Sequence, residues 1–384
     1  MSSHAVDVSE IQRPTQIEPE GLFDVEPEQA DYWFGLPQFE MRNAQPQRRL
    51  TVNFLTSDDV RDFAQKLGVP LSAAADSLWW PPQQRLEPKA YVWRGTPSPT
   101  RYPVYVPSKG RAQINTTGRL LGQAGVTPWW VVEPQEADEY RARYGDRVLI
   151  LPFSNLGQGS IPARNWIWEH AKAQGHRWHW IIDDNVLGFW RTHANRRLVV
   201  EQSSAPLRVV EDLADRYENL AFAGLSADGF APDRTQLSPI AWNTRVYSVT
   251  LINTGLPFRW RGRYNEDTDL CLRALKSGYA TALLRAFLMK KAHTARSGGV
   301  GGMAGGNTDN VYNTEDHRRA FAESLKEQHP DVVDVVWKFG RWHHEVDYSP
   351  FKGNRPRLLP GITPTKHVDE YGLQLVRRSD RPAS

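Results

Sequence analysis

Short apolar runs alternate with segments of helical spacing along most of this 384-residue chain. The apolar runs predict strands at residues 103–107, 129–132, 148–152, 179–182, 220–224, 246–252 and 280–289. Apolar residues spaced three and four apart predict helices at residues 115–125, 137–144, 161–174 and 209–219, and a further helix that ends at Lys276. Strands that alternate with helices usually build a parallel sheet that is covered on both faces. The pattern therefore predicts an α/β fold with a mainly parallel sheet flanked by helices.

Composition divides the chain into four predicted segments. Residues 1–46 are acidic and rich in proline, which predicts a flexible N-terminus. Residues 47–95 begin with an alternating run at 50–55 and a helix after Thr56, which predicts a small α+β module. Residues 96–348 hold the predicted sheet, and residues 349–384 are rich in proline and arginine and are predicted to be an extended tail.

The single cysteine, Cys271, excludes an internal disulfide and a cysteine-cluster zinc site. It also fits a reducing cytoplasm, where we expect the protein to act. No run approaches the roughly 20 apolar residues that span a bilayer, so we expect no membrane partner. The N-terminus is polar and acidic, which gives no sign of a secretory signal.

Charge is distributed unevenly along the chain. Residues 1–46 hold nine of the 44 acidic residues and two of the 47 basic residues, which leaves 35 acidic and 45 basic residues beyond them. A basic body can meet a polyanion, although an ordinary solvated surface accounts for the charge as well. Several of the 15 tryptophans stand next to arginine or lysine, as in Trp337-Lys338 and Arg341-Trp342. Such pairs stack on bases or sugars, although most tryptophans are core residues.

Two carboxylates and an amide, Asp183-Asp184-Asn185, follow the predicted strand at 179–182. Ligands of open α/β sheets bind at the carboxyl ends of the strands. Oxygen ligands at such a position suit Mn²⁺ or Mg²⁺, which leaves coordination sites for phosphate. The alternative is a helix cap or a turn. Asn185 is an oxygen donor without charge, so the sequence leaves open whether Asp184 or Asn185 is the main metal ligand.

Two further features follow in chain order. Glu266 and Asp267 stand at the start of a predicted helix, and His293 follows the predicted strand at 280–289. Together with Asp183-Asp184-Asn185 they resemble the GT-A class of glycosyltransferases. That resemblance implies a DXD-type motif and a histidine that hold the metal against a sugar-nucleotide diphosphate. It also implies a Glu-Asp motif that supplies the base or holds the acceptor.

The same resemblance implies donor-binding residues earlier in the chain. Pro107, Ser108, Lys109 and Arg111 lie where GT-A folds grip the nucleoside. Arg164, followed by Asn165, is similar to a pattern near the sugar-nucleotide in such enzymes. With Asp183 and Asp184, these residues form the predicted site for a nucleotide sugar. A solvated helix or strand end is the alternative for each residue taken alone.

A closer resemblance extends from roughly residue 50 to residue 345. The phage TET/JBP-associated glycosyltransferases are similar, in this order, to the predicted strand-helix module at residues 50–82 and to residues 104–111, 131–134, 164–165, 181–185 and 264–267. That resemblance implies a GT-A domain over residues 96–348. It also implies sugar transfer to 5-hydroxymethylpyrimidines in bacteriophage DNA, after a TET-like dioxygenase has made the hydroxyl. The protein is then expected in the cytoplasm of a phage-infected bacterium, paired with such a dioxygenase.

A DNA acceptor needs cations for phosphates and aromatic rings for bases, because the target base must leave the stack. Basic and aromatic residues near the three motifs are the predicted DNA contacts: Trp190, Arg191, Arg196, Arg197, Arg259, Trp260, Arg261, Arg263 and Arg296. The alternative is that these arginines bind the donor diphosphate.

The sequence therefore predicts a metal-dependent enzyme that transfers a sugar from a UDP-sugar to 5-hydroxymethylcytosine in DNA. A second hypothesis keeps the fold and changes the acceptor to a protein, a glycan or a small molecule. A third is a non-catalytic module that binds nucleic acid through its tryptophan–arginine surface.

Overall fold

The computed structural model describes residues 32–41, 46–72, 75, 77–81, 86–114, 116–230, 237–262, 264–292 and 317–378. Within them the α-helices are α1 Ser57–Leu67, α2 Thr116–Gln123, α3 Ala137–Tyr144, α4 Ile161–Ala173, α5 Ala205–Ala214, α6 Glu266–Lys276 and α7 His317–Gln328. The strands are β1 Tyr91–Arg94, β2 Val104–Pro107, β3 Trp129–Val132, β4 Val148–Ile150, β5 Trp178–Ile182, β6 Val186–His193, β7 Arg196–Glu201, β8 Leu220–Ala227, β9 Ile240–Trp242, β10 Val249–Asn253, β11 Ala280–Lys291, β12 Val333–Lys338, β13 Arg341–Val346 and β14 Gln374–Arg377.

Most strands join one large sheet in the order β14-β1-β7-β6-β11-β8-β10-β5-β2-β3-β4, with β9 beside β11. Strands β5, β2, β3 and β4 run parallel to one another. Strand β10 is antiparallel to both β5 and β8, and β11 is parallel to β8. The carboxyl ends of β5 and β11 therefore point to the same edge of the sheet. The predicted α/β fold is confirmed.

Strand β5 is buried on both faces. Trp178, Trp180 and Ile182 pack into one apolar cluster, whereas Ile181 packs into the cluster on the opposite face. A strand covered by helices on both sides reads as a continuous apolar run, as this one does. The apolar run ends at Ile182, so Asp183 and Asp184 stand at the end of the strand, at the rim of the sheet.

The region before residue 95 differs from the predicted module. Residues 50–55 form no strand, because no described strand pairs with them, and Leu50 and Leu55 are exposed. Helix α1 begins after Thr56, whose hydroxyl accepts a hydrogen bond from the Asp59 amide in a capping box. Strand β1, which also lies within the predicted module, joins the large sheet between β14 and β7.

Parts of the chain between residues 349 and 378 pack against the sheet. Strand β14 pairs antiparallel with β1, and Tyr371 and Leu373 are buried in the larger apolar cluster. Helix α7 and the β12–β13 hairpin pack together beside α6. In the part of the chain that the structure describes, no helix has the length and apolar character needed to cross a bilayer.

Candidate active site

A pocket of about 360 Å³ lies at the carboxyl end of β5. The described residues that sequence analysis assigned to donor, metal or base line this pocket together: Pro107, Ser108, Lys109, Arg111, Arg164, Asp183, Asp184, Asn185, Glu266 and Asp267. They come from four segments of the chain. Lys291 at the end of β11, and Tyr247 and Ser248 before β10, also line it.

The loop after β5 is held by backbone hydrogen bonds. The Asp183 amide donates to the Ser248 carbonyl at 2.8 Å. The buried Thr117 hydroxyl of α2 donates to the Asp183 carbonyl at 2.8 Å and accepts from the Val186 amide at 2.9 Å. These contacts satisfy the polar backbone of the turn without using the side chains of Asp183 and Asp184, which are left to face the pocket.

Asp183 is paired with two cations. Arg164 donates to Oδ1 at 3.0 Å and Lys291 donates to Oδ2 at 2.6 Å. Burial alone would raise the pKa of Asp183, but the charges of Lys291 and Arg164 hold that pKa well below its usual range. Asp183 is therefore ionised at neutral pH, as a metal ligand requires.

Asp184 points to the segment after β2. Arg111 donates to Oδ1 at 2.5 Å and the Ser108 hydroxyl donates to Oδ2 at 2.6 Å. Burial raises the pKa of Asp184, and the charge of Arg111 and the hydrogen bond from Ser108 oppose that rise. The two carboxylates of the motif thus face different partners. Asp183 pairs with Arg164 and Lys291, and Asp184 joins the residues after β2.

Lys109 extends the donor side. Its ammonium donates to Glu133 at 2.7 Å and to Asn155 at 3.0 Å. Burial alone would raise the pKa of Glu133, but hydrogen bonds, one of them from Lys109, lower it. Glu133 was not among the predicted site residues, although it lies at the carboxyl end of β3. Because β3 lies beside β2, its carboxyl end was a position at which a site residue such as Glu133 could have been expected.

Arg164 connects the two halves of the pocket. Besides Asp183, its guanidinium donates to Asp267 at 2.7 Å and to Glu266 at 3.3 Å. Only 8% of its side chain is exposed. Burial alone would lower the pKa of Arg164, but the carboxylates of Asp267, Asp183 and Glu266 raise it above its ordinary value. A buried fork with five donors can hold several carboxylates at fixed separations, which lysine cannot do.

The Glu-Asp pair opens helix α6. Asn265 precedes the first turn in a left-handed conformation, with a φ of 55°. Its side-chain amide donates to the Phe321 carbonyl at 2.8 Å. Asp267 also accepts a hydrogen bond from the Trp260 indole at 3.3 Å. Burial and the neighbouring charge of Asp267 raise the pKa of Glu266. A carboxylate whose pKa is raised accepts a proton more readily.

Asn185 contributes a buried acceptor. Its amide nitrogen donates to the Ala292 carbonyl at 3.4 Å, whereas its Oδ1 has no hydrogen-bond partner among the described residues. Buried polar atoms are normally satisfied, and a hard cation would satisfy this one. The described residues contain no group of three or more histidine, cysteine or acidic residues placed to hold a metal. The predicted ligand His293 lies outside the described residues.

Lys291 is the main residue that sequence reasoning missed. It donates to Asp183 and, at 2.8 Å, to the Ser248 hydroxyl. Burial alone would lower the pKa of Lys291, but the charge of Asp183 raises it. The apolar strand before it was recognised, and β11 ends at the same edge of the sheet as β5. A cation at that strand end was therefore a detectable signal.

Two predicted DNA contacts are wrong. Arg191 is only 2% exposed, pairs with Glu370 and lies 3.9 Å from the centroid of the Trp93 ring. Trp260 is buried and packs edge-on against Trp168 at 5.3 Å. Neither side chain has surface to offer to a phosphate or a base. Proximity in sequence to the motifs misled the prediction, because both residues point into the core.

The other predicted DNA contacts are dispersed. Arg196 and Arg197 start β7, at the far end of the hairpin from Asn185, roughly 25 Å away at about 3.3 Å per residue. Arg197 donates to the Asp228 carbonyl. Arg259 pairs with Glu169 and Arg261 with Asp269, and Trp190 is half-buried near Lys290. Arg263 and Arg296 lie outside the described residues.

The buried position of Arg191 leads to a stability prediction. Arg191→Met is expected to lower the free energy of unfolding by about 2 kcal/mol, because it removes the ion pair with Glu370 and the stacking on Trp93. The measurement is urea unfolding followed by tryptophan fluorescence. Arg141→Met, at an exposed position of α3, is the control and should change stability by less than about 0.5 kcal/mol. A stable Arg191→Met variant with weakened DNA binding would contradict this structural role.

Comparison with known proteins gives a family and solved structures that the chain resembles. The family model described as TET-Associated Glycosyltransferase matches residues 102–302. A crystal structure of GalNAc-T7 with UDP, GalNAc and Mn²⁺ is similar at 14% sequence identity and a TM-score of 0.31, over 62% of this chain and 51% of that chain. The chain thus spans about half the length of that solved structure. No curated protein matches the chain.

Proposed function

The chain belongs to the TET-associated glycosyltransferase family, and from that premise we propose that it transfers a sugar from a UDP-sugar to 5-hydroxymethylcytosine in DNA, with a divalent metal as cofactor. One observation carries the proposal. A single pocket brings Asp183, Asp184 and the residues after β2 together with Glu266 and Asp267. Donor-type and base-type groups are thus within reach of one substrate.

The donor side of the pocket suits a nucleoside diphosphate. Ser108, Lys109 and Arg111 line it after β2, and Arg164 and Lys291 add two more cations beside Asp183. Positive charge at this position stabilises a diphosphate as it leaves. Because Asp184 orients both Ser108 and Arg111, we assign it to positioning the donor-side residues.

The metal would be held by Asp183 and Asn185, with His293 as the predicted further ligand. The support is chemical: Asp183 is an ionised oxygen donor, and the Oδ1 atom of Asn185 is a buried acceptor without a partner among the described residues. Bound Mn²⁺ or Mg²⁺ would supply positive charge to the leaving diphosphate. Either ion fits an oxygen-rich ligand set.

The acceptor hydroxyl must lose a proton as the sugar is transferred, and we assign Glu266 as its base. Asp267 is engaged by Arg164 and Trp260, whereas Glu266 makes the longer contact with Arg164. Burial and the charge of Asp267 raise the pKa of Glu266, which favours proton transfer to it. Asp267 then serves to hold Arg164 and the start of α6.

The test uses purified protein, Mn²⁺, a panel of nucleotide sugars and DNA that contains 5-hydroxymethylcytosine. The DNA is digested and its nucleosides are weighed by mass spectrometry. We expect a hexose-sized mass gain on hydroxymethylcytidine with a UDP-sugar, and no gain after metal is removed with EDTA. Slow hydrolysis of the UDP-sugar without any gain on DNA would favour the other acceptor classes, a protein, a glycan or a small molecule.

A further inference from the structure

The β12–β13 hairpin turns through two residues, Phe339 and Gly340. Lys338 pairs with Arg341, and both turn residues have positive φ, 54° and 70°. This is the geometry of a type I′ turn, which normally carries Asn-Gly. Phenylalanine in the left-handed region is strained. Its side chain is nevertheless 91% exposed, so packing within the described chain does not explain its presence.

Aromatic rings and cations surround this tip. Trp337 is 59% exposed and meets Trp342 across the hairpin, with ring centroids 5.2 Å apart. The guanidinium of Arg319 lies 5.0 Å from the centroid of the Trp342 ring. Lys338 and Arg341 flank the turn and are exposed. Exposed rings interleaved with cations are the combination that binds bases and phosphates of nucleic acid.

The hairpin stands beside the base-bearing side of the active-site pocket. His344 and Val346 of β13 line a second cavity of about 280 Å³, and Tyr247 borders both cavities. Helix α7 packs on the hairpin, and its Phe321 ring lies 3.7 Å from the ring of Tyr264, which lines the first pocket. Gly340 at the tip stands four residues before His344, so the tip is roughly 13 Å from His344 at about 3.3 Å per residue.

We propose that this hairpin binds the nucleic-acid acceptor, with Phe339, which does not line the active-site pocket, stacking on a base outside that pocket. The inference rests on the proposed function for the nature of the acceptor. It assigns acceptor binding to a surface that is separate from the arginines close to the DXD-type motif.

Phe339→Asn removes the aromatic ring and keeps the fold of the turn, because Asn-Gly is the preferred sequence for this turn. Binding is measured by fluorescence anisotropy with two probes, a 20-nucleotide single strand with one central 5-hydroxymethylcytosine and a trinucleotide with the same base. We expect about 5- to 100-fold weaker binding of the 20-nucleotide strand and no change for the trinucleotide. The melting temperature should be unchanged or higher. Phe339→Tyr should retain binding, and Leu55→Ala, at a fully exposed apolar residue distant in sequence, is the control.

The outcomes distinguish the inference from the proposed function. Unchanged binding of the longer strand by Phe339→Asn would overturn the inference and leave a protein partner for the tip, even if the wild-type enzyme glycosylates DNA. Equal weakening for both probes would also overturn it, since Phe339 does not line the pocket that is proposed to hold the trinucleotide. Weaker binding of the longer strand alone would support it, even if no sugar were transferred to DNA.

Discussion

Asp183→Asn is expected to lower kcat for sugar transfer by about 10²- to 10³-fold, with little residual metal dependence. The substitution keeps the shape of the side chain and removes the ionised oxygen that is proposed to hold the metal. It also leaves Arg164 and Lys291 without their shared counter-charge in a buried site, which is expected to cost up to about 3 kcal/mol of stability. The measurement is the steady-state rate of transfer with increasing Mn²⁺, beside thermal unfolding of the same preparation.

A matched control separates the two effects. Asp215 has a side-chain exposure of 23%, against 19% for Asp183, and it also pairs with an arginine, but it does not line the pocket. Asp215→Asn should therefore keep its kcat. Full activity of folded Asp183→Asn would show that the metal and donor assignment of this motif is wrong.

Glu266→Gln is expected to lower kcat by about 10²- to 10⁴-fold without a comparable change in donor KM, because the amide cannot accept the proton of the acceptor hydroxyl. Asp267→Asn should act differently. It weakens the hold on Arg164, so its effect should appear partly in donor KM and in stability.

The same assignment predicts the pH dependence of the wild-type enzyme. Burial and the charge of Asp267 raise the pKa of Glu266 above its ordinary value of 4.5. A base works only when it is deprotonated, so activity should be complete above that raised pKa and fall as pH drops through it. The measurement is kcat/KM against pH, with Asp267→Asn as a comparison. Removing the neighbouring charge should move the acidic limb to lower pH. An acidic limb that is unchanged in Glu266→Gln would assign the base to another residue.

Much of the fold was readable because burial leaves a periodic pattern. The apolar runs from β2 to β5 were recognised with errors of a residue or two, and the carboxylates at the end of β5 followed from the break in that pattern. Strands β1 and β14, at one end of the sheet, were not recognised. β1 and β14 are short and half-buried, and their partners lie far away in sequence, so no local pattern reports that they pair.

The donor and base residues were likewise found as separate motifs, each at the end of a predicted strand or the start of a helix. Their charges could be read, but not their partners. Lys291 pairs with Asp183 across 108 residues of chain, and Arg191 pairs with Glu370 across 179. Both pairs depend on which strands become neighbours, so the sequence analysis left out the first and assigned the second to a DNA surface.

The sequence by itself determined the α/β class, the family resemblance, and the residue types that gather at the carboxyl ends of the strands, because hydrophobic periodicity and strand direction are local properties. The tertiary structure alone decided that Arg164 joins Asp183 to Glu266 and Asp267, that Arg191 and Trp260 belong to the core, and that Phe339 stands exposed at a hairpin tip. Burial and ion pairing are set by contacts between distant segments, and a side chain's exposure follows from those contacts and not from its neighbours in the chain.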